Sequence, residues 1–300
     1  MHDQIQAMGR GIVLEESLME PGKRTRLWSY DDILEVLEEH KGTQIIEGIL
    51  LPSYQHGVHP LNFRSLCLHR EDFAMMSKLR FLQIDGANYY EIDILCLPSN
   101  IRWFSWRQCP LEILPNNFYH KKLVHMDLSY SKIRQAWTNK PQNEIHRFQK
   151  LKVLRLGECV RLYESPNFSW FPYLETLDLG RCSRMVNLHK SIGDLKSMVT
   201  LSLGRTKIER LPNCICRLSS LKHLSLDDCS SLKSLPESIG DLKSLVNISL
   251  SEAKMEKLPN SICKLSSLKH LSLNDCSSLN SLPESIGDLK SLVKLSLSEA

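Results

Sequence analysis

Ten cysteines, at positions 67, 96, 109, 159, 182, 214, 216, 229, 263 and 276, are the residues of this 300-residue chain whose type could hold a metal, cross-link or attack a substrate. Cys214 and Cys216 form Cys-x-Cys, but no second pair of ligands with zinc spacing stands near them. A thiol hydrolase would need a cysteine beside an orienting histidine. The nearest pairing, His223 with Cys229, falls at opposite ends of one expected strand, so the geometry argues against an enzyme. The even number does not imply a disulfide framework either. Cys159, Cys182, Cys229 and Cys276 recur in one slot of a repeated pattern, where stacking would bury them as structural thiols. Reduced thiols fit the cytosol or the nucleus. The sequons at Asn167 and Asn247 do not outweigh this, since a glycan on Asn247 would block an expected strand.

That repeated pattern positions everything else. Arg217 to Ala253 reads RLSSLKHLSLDDCSSLKSLPESIGDLKSLVNISLSEA, and Lys264 to Ala300 nearly copies it 47 residues later. Leu-x-x-Leu-x-Leu-x-x-Cys occurs at Leu221, Leu224, Leu226, Cys229 and at Leu268, Leu271, Leu273, Cys276. Earlier turns run Leu151, Leu154, Leu156, Cys159 and Leu174, Leu177, Leu179, Cys182. With looser rungs starting at Leu79, Ile101 and Leu123, about ten strands are expected. This is the leucine-rich repeat pattern, and it predicts an α/β solenoid: a horseshoe with a parallel concave sheet and an irregular or short helical convex side.

The alternation Leu-x-Leu puts two apolar side chains on one face of a short strand and the intervening residues on the other. The return leg, as in Leu235-Pro-Glu-Ser-Ile239-Gly-Asp-Leu242, carries apolar residues around a proline that cannot enter a strand. The formal charge of +4 is too small to imply nucleic acid. No apolar run reaches the length of a membrane span, and MHDQIQAMGRGIV lacks the apolar centre of a secretory signal. The leucines of the last rung, at 292, 295 and 297, are expected to be exposed.

Positions three, five, seven and eight of each rung should face the hollow, where side chains vary without disturbing the leucines. They supply Arg155, Arg181 and Arg205 in the middle of the stack. Further on they supply His223, Asp227, Asp228, Glu252, His270 and Asp275, so the series turns from arginine to acid. Acids in one row, about 5 Å apart, should reinforce each other's field within a screening length of about 8 Å and attract a basic partner. Trp103, near Arg102 and Arg107, makes a second candidate surface; packing against the N-terminal segment is its other reading. Trp106 falls in a leucine slot and should be core.

The first 44 residues differ in kind. Ile5, Met8 and Ile12 share one side of an expected helix that Pro21-Gly22 ends. Ser29 and Asp32 form a capping box ahead of Ile33, Leu34 and Leu37. MHDQIQAMGRGIV, EPGKRTRLWSYDDILEVLEEHKGTQIIEGILL and IRWFSWRQCPLEILPNNFYHKKLVHMDLSYSKIRQAW, in that order, resemble plant intracellular immune receptors of the nucleotide-binding, leucine-rich-repeat type, in the class with an N-terminal TIR domain.

The resemblance implies that Met1, His2 and Asp3 match the motif that closes the winged-helix part of the family's nucleotide switch, its histidine contacting ADP. ADP or ATP is therefore implied for the full-length family. No Gly-x-x-x-x-Gly-Lys-Ser/Thr loop is present, since Gly22-Lys23 is followed by Arg24 and lacks the earlier glycine, so no cofactor is expected for this chain alone. The expected organisation is a remnant of the switch domain and linker over 1–44 and a C-terminally truncated repeat domain over 45–300. The resemblance further implies a role in sensing and autoinhibition. The partners would be a pathogen effector or a guarded host protein, and the nucleotide-binding domain of the same receptor family. A constitutive signalling scaffold is the alternative, although scaffolds built of similar coils lack a Met-His-Asp segment.

Overall fold

A computed structural model describes residues 2–51, 66–69, 71–86, 90–92 and 94–298. Twelve strands pair in parallel in strict chain order. The first five are β1 (Arg26–Leu27), β2 (Gly48–Leu51), β3 (Phe81–Asp85), β4 (Trp103–Arg107) and β5 (His125–Asp127). Next come β6 (Val153–Arg155), β7 (Thr176–Asp178), β8 (Thr200–Ser202) and β9 (His223–Ser225). The last three are β10 (Asn247–Ser249), β11 (His270–Ser272) and β12 (Lys294–Ser296). The ten expected rungs correspond to β3 through β12.

Two strands precede those ten. β1 pairs with β2 through Arg26 and Gly48, and β2 pairs with β3 through Gly48 and Phe81. The sheet thus crosses the expected boundary at residue 44. Helix α2 (Tyr30–Glu38) closes this end by burying Ile33, Val36 and Leu37 in the same core as the repeat leucines. Ser29 stands at its N-cap position without a side-chain cap bond. The capping box does not form because Asp32 is drawn instead to the buried Arg24, Nη1 to Oδ2 2.7 Å. Helix α1 (His2–Glu16) forms as its periodicity requires, but Ile5, Met8 and Ile12 are exposed.

The rungs before the last bury the apolar residue that starts each of them and the two that follow in the Leu-x-Leu places. Leu221, Leu224 and Leu226 are 0 to 2 % exposed, and so are their counterparts Leu268, Leu271 and Leu273. One continuous apolar core runs from Leu27 to Leu289. The convex side returns through single 3-10 turns such as Lys190–Asp194, Asn213–Arg217, Asn260–Lys264 and Glu284–Asp288, which follow prolines or histidines that hold the chain extended. Lys196 and Lys243 donate through Nζ to the carbonyls of Arg217 and Lys264, tying one return leg to the next. Leu292 and Leu295 are half-buried and Leu297 is 40 % exposed.

The slot after each strand is filled by a thiol ladder. The Cys159, Cys182, Cys229 and Cys276 thiols donate to the carbonyls of Leu128, Leu156, Leu203 and Leu250, each one rung earlier, at 3.1 to 3.3 Å. Ser131 and Thr206 occupy the same slot and bond their own rung's carbonyl instead, at Leu128 and Leu203. Burial pushes the Cys109 and Cys159 thiols up to about 12 and raises Cys182 further. The Cys67 side chain lies outside the described residues.

Candidate concave interaction surface

Register decides which side chains meet on the open face of the sheet. Trp103 pairs with Phe81 on one side and His125 on the other. Its ring stacks on His125 at 3.5 Å between centroids and on Phe81 at 5.7 Å. Trp103 is therefore one step of an aromatic ladder across β3, β4 and β5, 39 % exposed. His125 beneath it is buried, and burial, with Arg155 adding to it, pulls its pKa down to about 4. Trp106 is core. Arg107 lies over the Tyr130 ring at 4.9 Å.

Arg107, Arg155, Arg181 and Arg205 line one depression of about 710 Å³, together with Asp127, Asp178 and Asp227. His223 and His270 line a second, of about 410 Å³, with Asn247 and the hydroxyls of Ser202, Ser225, Ser249 and Ser272. Asn247 Nδ2 and His223 Nδ1 are 2.8 Å apart, so this sequon asparagine is engaged across strands. His223 and Cys229 are kept apart as expected, because Cys229 is buried under the following turn. Cys214 donates to the Lys190 carbonyl on the convex side, and its neighbour Cys216 is buried.

Pairing across rungs corrects the picture of an acidic row acting together. Asp228 is ion-paired with Arg205, Oδ2 to Nε 3.1 Å, and Glu158 with Arg181, Oε1 to Nη1 3.0 Å. Asp227 is occupied by the fold: it accepts from the Ser225 and Ser249 hydroxyls and from the Ser251 amide. Among the described residues, Asp227, Glu252 and Asp275 are the acids of the series that make no ion pair, and of these Asp227 is held by hydrogen bonds.

A further feature was not legible in composition. Gln108, Tyr130, Glu158, Arg181, Arg205, Asp228, Glu252 and Asp275, the residue before the slot in eight successive rungs, all have φ between 52° and 65°. Left-handed backbone is a glycine preference, yet none of them is glycine. Gly157, Gly180 and Gly204 stand one residue earlier, where space is the constraint: a Cβ on Gly204 would lie 2.9 Å from the Asp227 carbonyl.

The N-terminal motif has no pocket to complete among the described residues. Asp3 is exposed on α1, and the His2 side chain and Met1 lie outside the description. Gly22-Lys23 forms a 3-10 turn, the Gly22 Cα faces the Lys41 carbonyl, and Lys23 pairs with Glu20. Gly22 and Lys23 therefore do not form a phosphate cradle. Among the described residues no helix is long and apolar enough to cross a membrane.

A profile of the leucine-rich repeat region matches residues 214–300. Among solved structures, the leucine-rich repeat domain of the type III effector XopL aligns with a TM-score of 0.57 at 22 % identity, over 69 % of this chain and 71 % of that one. Toll, in the structure of the Toll–Spatzle complex from Drosophila, aligns with a TM-score of 0.62 at 17 % identity, over 85 % of this chain and 36 % of that one. These likenesses establish the fold: the chain is a leucine-rich-repeat solenoid.

Sequence relatives narrow the class. TMV resistance protein N of Nicotiana glutinosa is 33 % identical over 226 residues, 75 % of this chain and 18 % of the relative. Disease resistance protein RPP5 of Arabidopsis thaliana is 33 % identical over 64 % of this chain and 13 % of the relative. Disease resistance protein RUN1 of Vitis rotundifolia is 34 % identical over 65 % and 16 %. The chain belongs with the plant disease resistance proteins of the TIR, nucleotide-binding, leucine-rich-repeat class, and it spans less than a fifth of the length of these relatives.

Proposed function

We propose that this chain is the ligand-sensing and autoinhibitory repeat region of such a receptor. Its open sheet face captures a pathogen effector or guarded host protein and, in the resting state, the receptor's own nucleotide-binding domain. The observation that carries the reading is the division of labour along each strand. Leucines fill the core, while Trp103, Arg107, Arg155, Arg181, Arg205, His223 and His270 stand on the open face, where the core does not need them. The acids Glu252 and Asp275 extend the same face with uncompensated charge, which favours a basic patch on the partner. On this reading, ADP or ATP is held by the nucleotide-binding domain, with His2 and Asp3 contributing only when that domain is present. The compartment is cytoplasmic, with the nucleus as an extension, in keeping with a ladder of reduced thiols.

Co-purification of this chain with the nucleotide-binding domain of a receptor of the same class tests the proposal. Capture should weaken as salt rises, and replacing Glu252 and Asp275 with neutral residues should weaken it and flatten the salt dependence. Absence of capture, or capture indifferent to these replacements, would remove the face from the reading.

A further inference from the structure

Four successive rungs place Glu158, Arg181, Arg205 and Asp228 side by side, in the charge order minus, plus, plus, minus. Their backbones are held in step by amides that donate across rungs at 2.7 to 2.8 Å: Glu158 to the Gly180 carbonyl, Arg181 to Gly204 and Arg205 to Asp227. Each arginine meets one acid on its outer side, Arg181 through Nη1 and Arg205 through Nε. A guanidinium has five N–H donors, so each keeps most of its capacity. The two arginines stand on adjacent rungs, whose strands are about 5 Å apart, with their acids on the outer sides and none between them.

The rest of the depression is arranged to the same effect. Its acids are each engaged within the chain: Asp127 accepts from the Ser129 amide, Asp178 from the Gly180 amide, Asp227 from Ser225 and Ser251, and Glu158 pairs with Arg181. Arg155 is exposed and makes no ion pair among the described residues. Gly157, Gly180 and Gly204 carry no side chain of their own beneath the arginines, and the Asp178 carboxylate and the Ser202 hydroxyl fill the space over Gly180, each 3.1 Å from where a Cβ would stand. Arg181 and Arg205 themselves sit at φ of 61° and 58°. Glycine would relieve that backbone, so the chain bears a conformational cost to keep a guanidinium at each position.

We infer that Arg181 and Arg205, with Arg155 beside them, form a clasp for the acidic side chains of a partner protein, held at the outer rim of the depression by the guanidinium donors that Glu158 and Asp228 leave unused. This rests on the reading of the sheet face as the partner surface and gives its arginine end the opposite preference from its acidic end. The clasp takes carboxylates in bidentate contacts while Glu158 and Asp228 hold each guanidinium from behind.

A fluorescent peptide carrying consecutive glutamates, titrated into the full chain and followed by anisotropy, tests it. Arg181→Gln with Arg205→Gln should weaken binding by about tenfold. Glu158→Gln with Asp228→Asn should tighten it, because the competing carboxylates are gone. Arg181→Gly with Arg205→Gly should lose binding while raising the unfolding midpoint by about 2 °C or more, which separates the clasp from a rung-holding ion pair. Equal binding by the wild type and the glutamine variant would overturn the inference. So would a glycine variant with a lowered midpoint, or displacement of the peptide by inorganic phosphate at concentrations as low as the peptide's own. If the peptide fails while the nucleotide-binding domain is still captured, the clasp alone falls; loss of both removes the surface reading as well.

Discussion

The Cys182 thiol donates to the Leu156 carbonyl at 3.2 Å, one rung back in the solenoid. The bond links the end of one strand to the end of its predecessor, in a place water does not reach. Cys182→Ala leaves that carbonyl with the Cys159 amide alone, at 3.3 Å, and opens a small void. The expected cost is about 1–3 kcal/mol, read as a lowered urea midpoint with the slope unchanged. Cys182→Ser should cost less, because Ser131 already fills the equivalent slot two rungs earlier.

The same ladder sets an alkaline limit. The thiols of Cys109 and Cys159 titrate at about 12 in the fold against an ordinary value of 9.0. The folded state thus holds its protons where the unfolded chain releases them. Stability is fully present below about pH 9 and is lost as pH rises toward about 12. Alkylation near neutral pH followed by mass spectrometry should label Cys214 well before Cys159 or Cys182, which react only on unfolding. Labelling of the ladder thiols in the native state would contradict their burial.

Two histidines act in the opposite direction. Burial lowers the pKa of both His120 and His125 to about 4 from 6.5. Between those values the unfolded chain takes up protons that the fold refuses. Their contribution is present above about pH 6.5 and disappears as pH falls toward 4. A His125→Asn variant should show a shallower fall of unfolding midpoint between about pH 6.5 and 4.5 than the wild type.

The strand leucines and the thiol slot could be read from the sequence because both repeat: Leu224 and Leu271 answer each other in an almost identical frame, and so do Cys229 and Cys276. β1 and β2 could not. Gly48-Ile49-Leu50-Leu51 lacks the Leu-x-x-Leu-x-Leu frame, and what makes it a strand is the partner edge offered by Phe81–Asp85. The pairing of Arg181 with Glu158 was hidden for a related reason. The two are 23 residues apart in the chain, and only the register of neighbouring coils brings them to 3.0 Å. The left-handed positions carried no signal, because their residues are not the glycines and asparagines that such backbone favours.

Arg24 tests whether the N-terminal segment is part of the solenoid's stability. It is 4 % exposed, bonds Asp32 at 2.7 Å, and donates to the Ser17 and Leu18 carbonyls at 2.7 and 3.0 Å. Arg24→Met strands a carboxylate and two carbonyls together. A loss of about 3 kcal/mol is expected, with hydrogen exchange first accelerating in α2 and β1 while β6 through β10 stay protected. Uniform acceleration along the chain would instead mean that the solenoid unfolds as one unit.

Two copies of one motif should respond differently to the same replacement. Gly240 and Gly287 both stand in Ser-Ile-Gly-Asp on the convex side. A Cβ on Gly240 would fall 2.2 Å from the Ser261 carbonyl and 3.0 Å from the Lys264 Cβ, whereas one on Gly287 meets nothing within 4 Å. The first contact is with backbone of the next coil, which cannot step aside without moving a rung. Gly240→Ala should therefore cost about 1–3 kcal/mol by overpacking. Gly287→Ala should stay within about 0.5 kcal/mol of the wild type. Equal effects in denaturant titration would mean that coil-to-coil contact on the convex side is looser than these distances require.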